Sequence, residues 1–269
     1  MTPSMLRILV VGATGSIGRL VVEEALRQGH TVRALVRSAE RARRLPPNVE
    51  IALGDLTRTE TLAAAVEGVD GIVFTHGSDG AGKSGAESVD YGGVRNILAA
   101  LGTRKARIAL MTAIGVTNRN SSYNRSTESH DWKRRAERLL RTSGLAYTIV
   151  RPGWFDYNAS DEHKLVFLQG DTRHSSSPSD GVVARRQIAK VLVDSLTSDQ
   201  ALRKTFELVA EKGAEQSNLD ALFAALEADP EGSFDGVRDQ PNQPLNKEPQ
   251  RVLDDLRSMP KFSEDETGE

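Results

Sequence analysis

The sequence contains no cysteine and no long apolar run, and each absence excludes a class of protein. Without cysteine there can be no disulfide, no thiolate nucleophile and no cysteine-ligated metal, and we expect a cytoplasmic protein. No apolar stretch reaches the length of a membrane span, and the first apolar run is too short for a signal peptide. The net charge of −2 gives no general reason to bind nucleic acid or an anionic membrane. We therefore expect a small-molecule ligand, with no nucleic acid and no membrane partner.

The remaining composition is that of a globular protein. The chain has 269 residues, of which 38% are hydrophobic and 27% charged, enough to bury a sizeable core. The five histidines are scattered without the spacing of metal ligands, so the sequence predicts no metal site.

Apolar strands alternate with helical patterns as far as residue 153. The predicted strands are 6–13, 31–37, 49–55, 70–77, 106–115 and 146–153, and the helices between them are 16–28, 59–68, 88–101 and 126–144. This alternation predicts an α/β fold, a doubly wound parallel sheet of the Rossmann type with helices on both faces. Right-handed crossovers place the carboxyl ends of all strands at one edge, where ligands bind.

The pattern loosens after residue 153 and predicts a small C-terminal substrate lobe. Two strands, in "KLVFLQGD" and "KTFELVAE", flank a helix over 186–196, and a last helix covers 217–228. We therefore predict one domain over 1–229, with a core at 5–153 and the lobe at 154–229. Residues 230–269 are polar and predict an extended or disordered tail with one helical turn near Val252–Leu256. The tail is either a solubilising extension or a contact for a protein partner or a second subunit.

Three glycines mark the junction of the first strand and the first helix. Gly12, Gly15 and Gly18, in "VVGATGSIGRL", suit a tight turn, a close backbone approach to a pyrophosphate and close packing of helix on strand, respectively. The start of that helix offers free N–H groups to phosphates. The other interpretation, that the glycines serve turn geometry alone, is less consistent with the βα context.

The end of the second predicted strand indicates which dinucleotide binds. An NAD site places an acid there to hold the ribose hydroxyls, but this chain has Arg37 and Ser38. A guanidinium at that place can hold a 2′-phosphate through paired, charge-assisted hydrogen bonds. The sequence therefore favours NADP(H), although Arg37 could also belong to a solvated basic face with Arg41, Arg43 and Arg44. One strand further, Asp55 can accept from the adenine amino group beside the Leu56 N–H, or cap the next helix, and the two roles are compatible.

Several of these segments together resemble the atypical short-chain dehydrogenases/reductases, a branch that includes NmrA-like proteins and flavin or biliverdin reductases. The segments are "GATGSIG", "LVRS", "GDL", "VDYGGVRNILAA" and "TIVRPGWF", and the resemblance covers roughly residues 5–215. It implies an NADP-binding Rossmann domain with a small substrate lobe. By position, the resemblance further implies that the pyrophosphate is lined by Gly12, Thr14, Gly15, Ser16 and Ile17, that the 2′-phosphate meets Arg37, and that adenine meets Asp55 and Leu56. It implies that the nicotinamide-side ribose is flanked by Thr75, His76 and Gly77, and that the carboxamide pocket is shaped by Pro152 and Gly153. The place where many members carry a catalytic serine is occupied by Thr112 and Ala113.

The catalytic pattern of the larger superfamily is broken in this chain. That pattern pairs a tyrosine with a lysine four residues later, and the lysine binds ribose and lowers the pKa of the phenol. Here Lys133 stands in the matching context, but Ser129 replaces the tyrosine, and Thr112 does not restore the serine cleanly. Lys133 in "KRRAER" is either a ribose ligand or part of a solvated helix face. The remaining candidates for a proton donor are His130, Ser129, Tyr123 and Tyr157.

Two functions fit this broken pattern. The chain is either an oxidoreductase that passes hydride from NADPH to an easily reduced acceptor, such as a quinone, flavin or enone, or a non-catalytic NADP(H)-binding redox sensor of the NmrA-like kind. Trp154, Phe155 and Tyr157 follow the sixth strand and form either an apolar wall for a flat ligand or ordinary lobe core.

Overall fold

A computed structural model describes residues 5–78 and 80–259. The strands are β1 (Arg7–Val11), β2 (Thr31–Val36), β3 (Glu50–Leu53), β4 (Gly71–Phe74), β5 (Arg107–Met111), β6 (Tyr147–Pro152), β7 (Trp154–Phe155), β8 (Lys164–Leu168), β9 (Val182–Val183) and β10 (Lys204–Glu211). The helices are α1 (Ser16–Arg27), α2 (Ala39–Ala42), α3 (Ala63–Val66), α4 (Gly82–Gly85), α5 (Gly92–Leu101), α6 (Ser122–Thr127), α7 (Ser129–Thr142), α8 (Arg185–Ser195), α9 (Asp220–Ala224) and α10 (Gln250–Ser258), and a π-helical turn (Ala86–Tyr91) leads into α5.

The strands form one sheet in the order β3-β2-β1-β4-β5-β6-β10-β9-β7, with β8 paired to β10. All pairings from β3 to β10 are parallel, and β8 and β9 run antiparallel to β10. The order 3-2-1-4-5-6 is that of a Rossmann sheet, so the predicted fold class is confirmed. The chain reverses direction across the sheet between β1 and β4, and a crevice opens at this point above the carboxyl ends of the strands.

The core lies on both faces of the sheet, as a doubly wound fold requires. Successive side chains of β1 alternate between the faces: Ile8 and Val10 belong to the cluster that includes α1 and α8, whereas Leu9 and Val11 belong to the cluster that includes α5 and α7. All four side chains are fully buried. This is why β1 is a continuous apolar run in the sequence.

The single helix predicted over 126–144 is wrong in its first part. The structure has two helices there, because Glu128 adopts a left-handed conformation (φ 55°) between α6 and α7. The side-chain oxygen of Asn124 accepts hydrogen bonds from the backbone N–H groups of His130 (3.0 Å) and Asp131 (3.2 Å). These bonds satisfy the free donors at the start of α7, so the chain gains a defined helix start at Ser129.

The lobe after residue 153 contains the predicted strands as β8 and β10 and the predicted helix as α8. The helix predicted over 217–228 is shorter, with α9 limited to Asp220–Ala224. Two short strands, β7 and β9, pair with each other in parallel and extend the sheet beyond β10. Gly153, between β6 and β7, allows the chain to pass close to Gly181, because a Cβ on Gly153 would lie 2.4 Å from the carbonyl oxygen of Gly181.

Residues 229–259, here called the C-terminal strap, lie across the outer face of α7. Most of the strap is irregular, as predicted, but it is packed on the protein: Val252, Leu256 and Met259 are buried in the core cluster that includes α5 and α7. The interpretation as a disordered extension is therefore wrong for residues 230–259, and residues 260–269 lie outside the described residues.

Charge pairing explains why the strap is held. Arg134, Arg135, Arg138 and Arg141 of α7 are buried, so the side of α7 that carries them is not a solvated face. Arg138 donates to Glu248 at 2.7 Å and to Asp235 at 2.9 and 3.0 Å. The other three donate to oxygens of strap residues at 2.5–3.2 Å, namely Asp229, Phe234, Asp235, Gln240, Asn242 and Glu248. Buried guanidinium groups need such partners, and the strap supplies them.

Candidate functional site

A cleft of about 640 Å³ runs along the carboxyl edge of the sheet. Its walls come from the segments that follow β3, β2, β1, β4 and β5, which is also their order across the sheet. With strands about 4.8 Å apart, five strand ends span about 19 Å, a length that suits an extended dinucleotide rather than a single nucleotide. Of the residues predicted to bind the cofactor, the following line the cleft: Gly12, Thr14, Gly15, Ser16, Ile17, Arg37, Asp55, Leu56, Thr75, His76, Gly77, Thr112, Ala113 and Lys133.

The three glycines of the first βα turn have different surroundings. A Cβ on Gly12 would lie 2.7 Å from the backbone nitrogen of His76, and Gly12 has a φ of +87°. A Cβ on Gly18 would lie 2.1 Å from the carbonyl oxygen of Gly12, so Gly18 lets α1 pack against the turn without lining the cleft. Gly15 lines the cleft, and its Cβ would meet one protein atom, Gly12 O at 3.2 Å. A side chain on Gly15 would thus fill space beside the start of α1, where a phosphate could otherwise approach the backbone.

Positive charge collects at the β2 end of the cleft. Arg37 and Arg41 both line it, and among the described residues neither has a carboxylate within salt-bridge distance. Ser38 is exposed beside them at the start of α2 and does not line the cleft. Sequence reasoning placed Arg41 on a solvated face, but one turn of α2 is enough to bring it to the same end of the cleft as Arg37.

Asp55 lines the cleft at the end of β3. One of its carboxylate oxygens accepts from the backbone N–H (2.9 Å) and the hydroxyl (2.8 Å) of Thr57, and these bonds hold the pKa of Asp55 below its usual range. The carboxylate therefore orders its own turn, and its second oxygen has no hydrogen bond among the described residues. The helix-cap role predicted for Asp55 is wrong, because the next helical turn (Thr59–Thr61) begins after Arg58 and has no side-chain cap. The role at adenine stays a prediction.

His76 follows β4 and is neutral. Its Nε2 lies 3.0 Å from the carbonyl oxygen of Val89 and must donate there, which leaves Nδ1 unprotonated and without a partner in the described part of the chain. Burial lowers its pKa to about 4, and the nearby Lys133 charge adds to this effect, whereas the Asp90 carboxylate opposes it. Gly93 makes room for the ring, because a Cβ on Gly93 would lie 2.8 Å from Nε2.

Lys133 reaches the cleft from α7, as a ribose ligand would. Its Nζ donates to Oδ1 of buried Asp90 at 2.7 Å, and the other oxygen of Asp90 accepts from the Ser78 hydroxyl at 2.7 Å. The pair fixes the direction of the Lys133 side chain and leaves two of its N–H donors for a ligand. Ser129 lines the cleft one helical turn before Lys133. Asp90 was missed in the sequence because its partner lies 43 residues away.

Thr112 lies at the end of β5, and a buried charge network orients it. Its hydroxyl donates to Glu137 at 2.7 Å, so its proton points into the protein rather than into the cleft. Burial alone would raise the pKa of Glu137, but the Arg151 guanidinium holds it below its usual range. Arg151 also makes a paired contact with Asp239 of the strap, at 2.7 Å for each bond. Thr112 can accept a hydrogen bond in the cleft but is not placed to donate one.

A second cavity, of about 430 Å³, continues from the β5 end of the cleft. Ala113, Tyr123 and Phe155 line both spaces. Pro152 and Gly153 line the second cavity and not the first. Of the other residues predicted near the substrate, Trp154 and His130 line this cavity, whereas Tyr157 is 65% exposed and lines neither space. Burial lowers the pKa of His130 to about 4, so it is a poor proton donor at neutral pH.

The comparisons with known proteins agree with this geometry. A family model described as NAD(P)H-binding matches residues 12–199. The chain is 25% identical to a photosystem II assembly factor, Ycf39 of Synechocystis, over 260 residues that cover 96% of this chain and 75% of the relative. It is 26% identical to sanguinarine reductase of Eschscholzia californica over 264 residues, covering 82% of this chain and 96% of the relative.

A solved structure, that of the reductase ChuY of Escherichia coli O157:H7, is similar in fold. Its TM-score is 0.60 at 24% identity, and the match covers 76% of this chain and 96% of that one. No helix within residues 5–78 and 80–259 has the length and apolar character needed to cross a bilayer. With a family model over more than half of its length and a Rossmann sheet around the glycine turn, the chain belongs to the NAD(P)H-binding family and is similar to the atypical short-chain dehydrogenases/reductases.

Proposed function

We propose that this protein is an NADPH-dependent oxidoreductase that passes a hydride to a small, easily reduced acceptor such as a quinone, flavin or enone. One observation carries the proposal: the cleft that suits a dinucleotide continues, past Ala113, Tyr123 and Phe155, into a second cavity. A ligand in that cavity would meet the end of the cofactor that reacts. Similarity to a reductase over 82% of the chain supports the same chemistry.

The preference for NADPH over NADH rests on the β2 end of the cleft. Arg37 and Arg41 both line it, and Arg37 rather than an acid stands directly after β2, where an acid would hold a free 2′-hydroxyl. Two guanidinium groups that have no carboxylate partner among residues 5–78 and 80–259 can form charge-assisted, paired bonds with a 2′-phosphate. At the other end, Lys133 has donors left for the ribose hydroxyls.

Positioning is the main contribution of the protein to this chemistry. When bound, the reduced nicotinamide supplies the hydride. Thr112 and Ala113 would border the nicotinamide in the cleft, and Phe155 and Tyr123 line the passage from the cleft to the second cavity. An acceptor that gains a hydride also needs one proton, and Ser129, Thr112 and His130 are poor sources for it. Water or the Tyr123 hydroxyl supplies this proton, which suits acceptors whose reduced anions are stable.

Calorimetric titration with NADPH and NADH tests the cofactor assignment. We expect NADPH to bind about tenfold or more tightly than NADH, because a charge-assisted bond contributes about 1.5–3 kcal/mol. Arg37→Ala should remove most of that difference. Arg44→Ala is the matched control, because Arg44 is exposed on the same segment and does not line the cleft. Equal binding of the two cofactors by the unmodified chain would refute the NADP preference.

A second function, a non-catalytic NADP(H)-binding regulatory protein, is favoured by two observations. Ser129 takes the place of the usual tyrosine, and a relative similar over 96% of the chain is an assembly factor rather than a reductase. Steady NADPH oxidation with a panel of quinones and flavins, lowered by Lys133→Met, supports the reductase. Tight NADPH binding without turnover on the whole panel supports the regulatory protein.

A further inference from the structure

The second cavity has an aromatic wall that is held in place. Phe155 lies under the guanidinium of Arg185, 5.3 Å from the ring centroid, and Trp154 meets Tyr157 edge-on with centroids 6.0 Å apart. Tyr123, on α6, packs against His130, with 5.2 Å between ring centroids. Trp154 and Tyr123 remain 37% and 52% exposed, so their rings are available to a ligand. Such rings favour a flat, unsaturated molecule.

The acids beside the cavity are turned into the protein. Asp180 accepts from the backbone N–H groups of Ser175 (2.7 Å) and Ser177 (3.3 Å). Asp171 is fully buried and accepts from the backbone N–H groups of Gly115 (2.6 Å) and Thr117 (2.7 Å). Because backbone donors compensate both carboxylates, neither is left to neutralise a cation in the cavity.

Arg173 is the cavity-lining residue with a permanent positive charge. Its guanidinium donates to the carbonyl oxygen of Asp180 at 3.2 Å, and within the described ranges it has no carboxylate within 4 Å. Four of its five N–H donors are therefore free. His130 is neutral because burial lowers its pKa to about 4, so it adds hydrogen-bonding capacity but no charge.

We propose that the second cavity binds a planar aromatic acceptor that carries an acidic group, with the ring against Trp154 and Phe155 and the acid on Arg173. The acid is a carboxylate, sulfonate or phosphate, since each presents oxygens to a guanidinium in the same way. The proposal deepens the function proposed above, because the bound ring would lie beside the reacting end of the cofactor. The proposed binding of the acidic aromatic molecule does not require that the protein reduce it.

The test is calorimetry on the full chain with 2-naphthoate and with 2-naphthamide, an uncharged molecule of nearly the same shape. We expect naphthoate to bind about tenfold more tightly. Arg173→Gln should reduce naphthoate to the affinity of the amide, whereas Arg173→Lys should keep part of the preference. Trp154→Ala should weaken both ligands severalfold, because it removes the wall and not the charge. Arg257→Gln, at an exposed site on α10, is the control and should change neither.

Four outcomes overturn the proposal. Equal affinity of the unmodified chain for the acid and the amide would show that the cavity does not select charge. A preference that survives Arg173→Gln would place the anion elsewhere. Competition between naphthoate and NADPH would place the acid in the cofactor cleft, on Arg37 and Arg41. If the chain reduces only neutral quinones, this inference fails while the proposed function stands. If naphthoate binds as expected but no acceptor on the panel is turned over, this inference stands while the proposed function fails.

Discussion

Removing one charge from the C-terminal strap should destabilise the whole protein. Glu248, with a side chain 1% exposed, accepts from Arg138 at 2.7 Å, from Arg135 at 2.5 Å and from Gln243 at 2.6 Å. Glu248→Gln keeps the shape and removes the charge, so two guanidinium groups stay buried with part of their compensation lost. Breaking a buried pair from one side costs about 3–5 kcal/mol.

Thermal unfolding followed by tryptophan fluorescence measures this effect, because Trp132 lies under the guanidinium of Arg135, 4.2 Å from its ring centroid. At about 2–4 °C per kcal/mol for a chain of this size, we expect the melting temperature to fall by on the order of 10 °C. The double variant with Arg138→Met should recover part of the loss, since it removes one of the uncompensated charges.

Asp254→Asn provides the matched control on the same strap. Its pair with Arg257 is 3.3 Å long, with side chains 59% and 70% exposed, and such surface pairs contribute little. The melting temperature should therefore stay unchanged. If Glu248→Gln melts within about 2 °C of the unmodified chain, the strap is not held by charge compensation and the reasoning is refuted.

Two further predictions concern the cleft. Gly15→Ala should leave the melting temperature nearly unchanged but weaken NADPH binding in calorimetry. Gly18→Ala should lower the melting temperature, because its Cβ would lie 2.1 Å from Gly12 O. The opposite ranking of the two variants would contradict the roles assigned to the glycines. The imidazole NMR signals of His76 and His130, assigned by their loss in single variants, should stay those of the neutral ring down to about pH 5, because burial lowers both pKa values to about 4. Between the ordinary histidine pKa of 6.5 and about 4, the unfolded chain binds protons that the folded chain does not, so stability is highest above this window and falls as the pH drops through it. A midpoint near 6.5 would refute the assignment.

Features with short-range patterns could be predicted from the sequence. The alternation of strands and helices, and the glycine turn at residues 12–18, depend on residues a few positions apart, and the sheet confirmed the fold. The break at Glu128 escaped because it depends on one side chain, that of Asn124, which bonds to α7 rather than continuing a helix. Strands of two residues, β7 and β9, are too short to show a period.

The strap and the second cavity could not be predicted from the sequence, because both depend on contacts between distant residues. Arg138 and Glu248 are 110 positions apart, and in sequence a buried arginine row looks the same as a solvated charged face. Their burial follows from tertiary packing, which no local pattern reports. The same is true of Arg173: its place beside Trp154 depends on the pairing of β7 with β9.

The strap also has a consequence for the order in which the chain can mature during synthesis. Helix α7 is complete at Thr142, yet the acids that compensate its buried arginines begin at Asp229 and continue to Glu248. At about 5–20 residues per second, roughly 5–20 s separate the two on the ribosome. During that interval the guanidinium groups of α7 stay in water, and the core cluster on this face of the sheet lacks Val252, Leu256 and Met259 of the strap. The opposite face, packed on α1 and α8, has all of its core residues once Leu226 is made, before the strap is complete, and is expected to become protected from hydrogen exchange first.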